Sequence, residues 1–142
     1  MNTPAGTHAG TTPKACNIAS ALPRLAAESP DRIAMRCPGS RGADAMARYE
    51  ISLSYAELDS RSDAIAAGLA LRGVGRGTRT VVMVRPGPEF FLLMFALLKA
   101  GAVPVLVDPG IDRRALRQCL HEAQPQAFIG IPLAHAARVL LG

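Results

Sequence analysis

The stretch that most constrains the fold is residues 90–107, FFLLMFALLKAGAVPVLV. These 18 mostly apolar residues come near the lower limit for a membrane-spanning helix. Lys99, Gly101 and Pro104 interrupt the run, however. A helix followed by glycine and then a β-branched run is typical of a buried helix that leads into a buried strand. We therefore predict no transmembrane segment.

Strand and helix patterns alternate from residue 78 onward. Residues 78–85 include the uninterrupted apolar run 81–84, typical of a strand buried on both faces. A turn at 86–88 leads into a helix over 88–100, with Pro88 in its first position. Strands follow at 103–107 and 126–131, a helix capped by Asp112 runs to about residue 123, and a last helix covers 133–141. This order predicts an α/β fold, a partial parallel sheet with flanking helices.

Upstream of residue 54 the pattern is one helix and two short strands. Residues 21–28 form the helix, with Ser20 as its N-cap and Pro23 in the first turn, where proline is tolerated. Residues 33–37 form a strand that Pro38 ends, and residues 49–53 form a second strand. Residues 39–47 are small and polar, and we predict a loop there.

A second helix begins at a capping box. Ser54 and Glu57 have the spacing at which each side chain caps the other's backbone N–H. The helix runs to about residue 72, and Gly73 ends it. Its side chains divide by face: the apolar Leu58, Ile65 and Leu69 share one face, whereas Asp59, Arg61 and Asp63 lie elsewhere.

The positive charge of the chain does not indicate a nucleic-acid partner. The net charge of +5 comes from 16 Lys and Arg against 11 Asp and Glu. The basic residues are scattered, form no run of four, and have no aromatic residues between them. A nucleic-acid footprint needs such clustering, so we expect no nucleic-acid binding.

Cysteine and histidine are too scattered for a disulfide framework or a metal site. No pair has C-x-x-C spacing, and we expect free thiols, buried or half-buried, in a reducing cytosol. Residues 1–15 lack the apolar stretch of a secretory signal and are predicted to be a flexible tail. We therefore expect a cytoplasmic protein. The cysteines of the chain are Cys16, Cys37 and Cys119, and its histidines are His8, His121 and His135.

The glycine cluster at residues 73–77, GVGRG, is the first candidate for phosphate binding. A dinucleotide fingerprint follows a strand and opens a helix, whereas this cluster follows a predicted helix and precedes a predicted strand. It also lacks the full G-x-G-x-x-G spacing, so we interpret it as a connecting loop. The chain contains neither G-x-x-x-x-G-K-[ST] nor G-x-S-x-G.

Three further residues, Asp108, Asp112 and Lys99, are candidates for a functional site. Asp108 lies at the carboxyl end of a predicted strand, where ligand sites of α/β folds form. Its D-P-G sequence is typical of a plain turn, and the pair Asp108 and Asp112 has no third partner nearby. Lys99 ends a predicted helix, where a cation is favoured, and we interpret it as structural. We assign no catalytic, cofactor-binding or metal-ligating residue.

From residue 53 onward the chain resembles the adenylate-forming superfamily, which includes acyl-CoA ligases, peptide-synthetase adenylation domains and luciferases. LSYAEL at 53–58 resembles the first core motif of these enzymes, and LKAGAV at 98–103 resembles the second. The resemblance implies that both motifs belong to the scaffold. It also implies that the phosphate loop, the adenine-binding stretch, the ribose-binding Asp and the mobile C-terminal lysine lie in a part of the enzyme absent from this chain.

The stretch RPGPEFFLLMFALLKAGAVPVLVDPGID at 85–112 is similar to the β-lactone synthetases of bacterial long-chain olefin biosynthesis. This resemblance implies ATP and Mg²⁺ as cofactors of the full-length enzyme, with neither bound by this segment. It also implies a fatty-acid-derived substrate, a long-chain β-hydroxy acid closed to a β-lactone through an acyl-adenylate. Other enzymes of olefin biosynthesis would be its protein partners.

The domain organisation expected from these patterns is a tail at 1–15 and an incomplete N-terminal AMP-binding-enzyme domain at 16–142. We expect the segment alone to be inactive and poorly soluble. Two alternatives remain open at this point: a fragment of a long-chain fatty acyl-CoA ligase, and a non-catalytic interaction module.

Overall fold

The computed structural model describes residues 16–39, 48–107 and 111–131. The first helical segment is a 3-10 turn, Ile18–Ala21, that continues directly into helix α1, Leu22–Glu28. Asn17 caps the turn by accepting a hydrogen bond from the backbone N–H of Ala19 at 3.0 Å. The prediction that Ser20 is the N-cap was wrong, because the 3-10 turn starts the helical segment earlier and places Ser20 inside it. Pro23 lies in the first turn of α1, as predicted.

Two short antiparallel strands follow, β1 (Ile33–Cys37) and β2 (Ile51–Ser54). Strand β1 has the predicted bounds, whereas β2 begins two residues later than predicted and extends to Ser54. A bulge between Ile33 and Met35 shifts the register of the pair. Most of the predicted loop at 39–47 lies outside the described residues.

Helix α2, Tyr55–Ala70, begins at the predicted capping box. Ser54 Oγ accepts from the N–H of Glu57 at 3.2 Å, and Glu57 Oε2 accepts from the N–H of Ser54 at 2.8 Å. At its other end, Gly73 adopts φ +78°. The N–H groups of Gly73 and Val74 donate to the carbonyls of Ala70 and Leu69, which satisfies the helix end as in a Schellman motif.

Three strands form the predicted parallel sheet: β3 (Arg79–Met83), β4 (Val103–Leu106) and β5 (Ala127–Gly130). Their order is β4-β3-β5, so the apolar strand β3 is central and pairs in parallel with both neighbours. Pro104 is the second residue of β4 and pairs with Thr80. It is tolerated because β4 is an edge strand among the described residues, and an edge strand needs only one row of ladder hydrogen bonds.

Helix α3, Pro88–Lys99, is covered on two sides, as its apolar sequence predicts. Leu93 and Leu97 pack with Val82 of the sheet, whereas Leu92 packs in a second cluster with Leu22 and Leu58. The helix therefore lies between the parallel sheet and the layer formed by α1, β1 and β2. Ile65 of α2 packs against both clusters and joins them.

Helix α4, Arg113–Ala123, has the predicted cap: Asp112 accepts from the N–H groups of Arg114 and Ala115. Leu116 is buried, and Leu120 lies near Val81. Since Val81 and Val82 point to opposite faces of β3, α4 lies on the face of the sheet opposite α3. No helix in the described part of the chain is long and apolar enough to cross a membrane. The predicted helix at 133–141 lies outside the described residues.

Candidate functional site

An open apolar pocket of about 390 Å³ lies between α1, β1, α2 and α3. Tyr55 contributes the single polar side chain among the described residues that line it. This volume falls in the range of about 300 to 1,000 Å³ usual for small-molecule sites. We refer to it as the apolar pocket, and its larger lining residues are Ile18, Leu25, Met35, Tyr55, Phe91 and Phe95.

The aromatic wall of the apolar pocket comes from one face of α3. Phe91 and Phe95 are four residues apart, which places both on the same side of the helix. The ring of Phe91 packs edge-to-face against Phe90, with 5.4 Å between ring centroids. Phe91 nevertheless remains 44% exposed, and Ile18 across the pocket is 69% exposed. Both residues present apolar surface at the mouth of the pocket.

A side-chain bond joins the first helical turn to α3. Asn17 Nδ2 donates to the carbonyl oxygen of Leu98 at 2.6 Å, although the two residues are 81 positions apart. Asn17 also caps the turn that carries Ile18 and Ala21. Two walls of the apolar pocket are therefore joined by a hydrogen bond.

Lys99 forms the second candidate site, together with two carboxylates of α2. Its Nζ lies 2.6 Å from Asp59 Oδ1 and 2.7 Å from Asp63 Oδ1, and it donates to the carbonyl oxygen of Asp59 at 3.0 Å. The Lys99 side chain is 10% exposed, against 18% for Asp59 and 62% for Asp63. We call this group the Lys99 cluster. All three donor positions of the ammonium are occupied, so the arrangement supports the structural interpretation of Lys99.

Sequence reasoning missed the two carboxylate partners of Lys99. Asp59 and Asp63 lie four residues apart on α2, and this spacing places both carboxylates on one helix face. This spacing is visible in the sequence, but it does not identify Lys99 as the cation that faces the two carboxylates.

The glycine cluster at residues 73–77 is the connecting loop that the sequence predicts. It joins the end of α2 to β3 and follows no strand. Gly77 adopts φ +78°, and its N–H donates to the carbonyl oxygen of Gly101. Asp112 serves as the cap of α4, whereas Asp108, the other aspartate considered as a site candidate, lies outside the described residues.

The described cysteines are free, but only Cys37 is buried. The expectation that all three thiols are buried or half-buried was wrong for Cys16 and Cys119. Cys16 precedes the first helical turn, and Cys119 lies on α4, and both are exposed. Across residues 16–39, 48–107 and 111–131, no three His, Cys, Asp or Glu side chains are placed to hold a metal ion. His121 is exposed, and His8 and His135 lie outside these ranges.

A sequence model of the AMP-binding enzyme family matches residues 22–140. Because this match covers most of the chain, the chain belongs to the family of AMP-binding enzymes. The resemblance to the adenylate-forming superfamily is thereby confirmed, and so is the α/β fold predicted with it.

Two relatives make the assignment more specific. The chain is 79% identical over 126 residues to the olefin beta-lactone synthetase of Xanthomonas campestris pv. campestris. It is 74% identical over 127 residues to the olefin beta-lactone synthetase of Stenotrophomonas maltophilia. Each alignment covers 89% of this chain but 23% of the relative, so the chain spans about a quarter of the length of these enzymes.

Solved structures of adenylation enzymes share the fold. The N-terminal subdomain of Klebsiella oxytoca NpsA, in complex with 3-hydroxyanthranilyl-AMSN, superposes with a TM-score of 0.71 at 22% identity. That match covers 89% of this chain and 30% of the NpsA chain. VinN in complex with 3-methylaspartate gives a TM-score of 0.71 at 24% identity, over 87% of this chain and 32% of VinN.

Proposed function

We propose that the chain is the N-terminal segment of a cytoplasmic ATP-dependent ligase that converts a long-chain β-hydroxy fatty acid to a β-lactone. The observation that carries the proposal is the identity of 79% and 74% to two olefin beta-lactone synthetases. Such identity over 89% of the chain is far above the 22 to 24% shared with the adenylation enzymes of similar fold.

The proposed reaction has two steps. First, a carboxylate oxygen of the substrate attacks the α-phosphorus of ATP, which forms the acyl-adenylate and releases pyrophosphate. Second, the β-hydroxyl oxygen of the same substrate attacks the activated carbonyl carbon, loses its proton, and displaces AMP to close a four-membered lactone. Adenylation is needed because AMP is a good leaving group, whereas hydroxide is a poor one.

In this proposal the segment supplies scaffold rather than reacting groups. The first core motif contains the capping box that starts α2, and the second contains Lys99 and the glycine that ends α3. Both motifs thus contribute hydrogen bonds and packing contacts that stabilise the fold. Mg²⁺ would neutralise phosphate charge in the full-length enzyme. No three His, Cys, Asp or Glu side chains of the described residues are placed to hold a metal ion, so we assign the ion no ligand in this segment.

The test compares the 142-residue chain with the full-length protein. Both are incubated with ATP, Mg²⁺ and a long-chain β-hydroxy acid, and labelled pyrophosphate exchange and β-lactone formation are measured. We expect both activities from the full-length protein and neither from the chain alone. A full-length protein that forms only a CoA thioester when CoA is added would instead be a fatty acyl-CoA ligase. Pyrophosphate exchange by the 142-residue chain would refute the scaffold role.

A further inference from the structure

We draw no further inference here: the strongest candidate, the open apolar pocket between α1, β1, α2 and α3, belongs to a chain that spans about a quarter of the length of its relatives, so nothing in the structure shows what covers it.

Discussion

Lys99 Nζ lies 2.6 Å from Asp59 Oδ1 and thereby joins the end of α3 to the first half of α2. Both side chains are mostly removed from solvent, at 10% and 18% exposure. Lys99 also stands in the last turn of α3, where a positive charge offsets the partial negative charge of the helix end. Lys99, which belongs to the second core motif, thus holds the end of α3 against α2.

Replacing Lys99 should therefore destabilise the protein strongly. Lys99→Met leaves the Asp59 carboxylate without its cation in a mostly buried position, which should cost about 3 kcal/mol. Asp63→Asn is the matched control, since Asp63 is 62% exposed and its substitution should cost less than about 1 kcal/mol. Urea unfolding followed by circular dichroism measures both. If both variants lost the same free energy of unfolding, burial would not determine how much the ion pairs of the Lys99 cluster contribute to stability.

The capping box of α2 should contribute measurably to stability. Ser54→Ala removes the oxygen that accepts from the Glu57 N–H, and we expect a loss of about 1 kcal/mol. Ser60→Ala, at an exposed position inside the same helix, should be neutral or slightly stabilising because alanine is the better helix former. The midpoints of thermal unfolding give the comparison. A larger effect at Ser60 than at Ser54 would contradict the capping role.

Two loop glycines should respond in opposite ways to alanine. Gly101 ends α3 at φ +73°, and the N–H groups of Gly101 and Ala102 donate to the carbonyls of Leu98 and Leu97. Gly101→Ala should cost ~1–2 kcal/mol, because an L side chain is strained at this backbone angle.

The matched control for Gly101 is Gly75→Ala. Gly75 is not among the glycines of positive φ, and a Cβ there would meet nothing within 4 Å. Gly75→Ala should therefore be neutral or stabilising by about 0.5 kcal/mol through the unfolded state. Urea unfolding distinguishes the two variants. A tolerated Gly101→Ala would mean that the turn can adopt another conformation.

Strand β4, which lies at the edge of the sheet that the described residues form, should promote self-association of the chain on its own. Val103 and Leu106 are exposed on this strand, and exposed apolar edge strands invite pairing with another copy. Leu106→Lys should shift sedimentation-velocity profiles toward the monomer. Leu71→Lys removes a still more exposed leucine from a turn and should leave association unchanged. An equal effect of both substitutions would point to general hydrophobicity rather than to the strand edge.

Much of the fold could be predicted because its determinants are local. The capping box at Ser54, the proline that begins α3, the Asp112 cap and the glycines that end α2 and α3 all act within a few residues. The apolar run of β3 identified a strand buried on both faces. The predicted N-cap Ser20 was wrong because Asn17 caps an earlier 3-10 turn. The predicted start of β2 was wrong because the ends of a strand depend on the strand that pairs with it.

The candidate site depends on contacts that no local pattern encodes. Lys99 meets Asp59 and Asp63 across 40 and 36 positions, and the apolar pocket collects residues from the first 3-10 turn, α1, β1, α2 and α3. The sequence alone determined where α2, α3 and α4 begin, the buried strand β3 and the family, because each follows from short-range hydrogen bonding or from residue order. The tertiary structure alone decided which carboxylates face Lys99, which thiols are exposed and where an apolar cavity remains open. These depend on how the helices pack, and packing is set by side chains far apart in the chain.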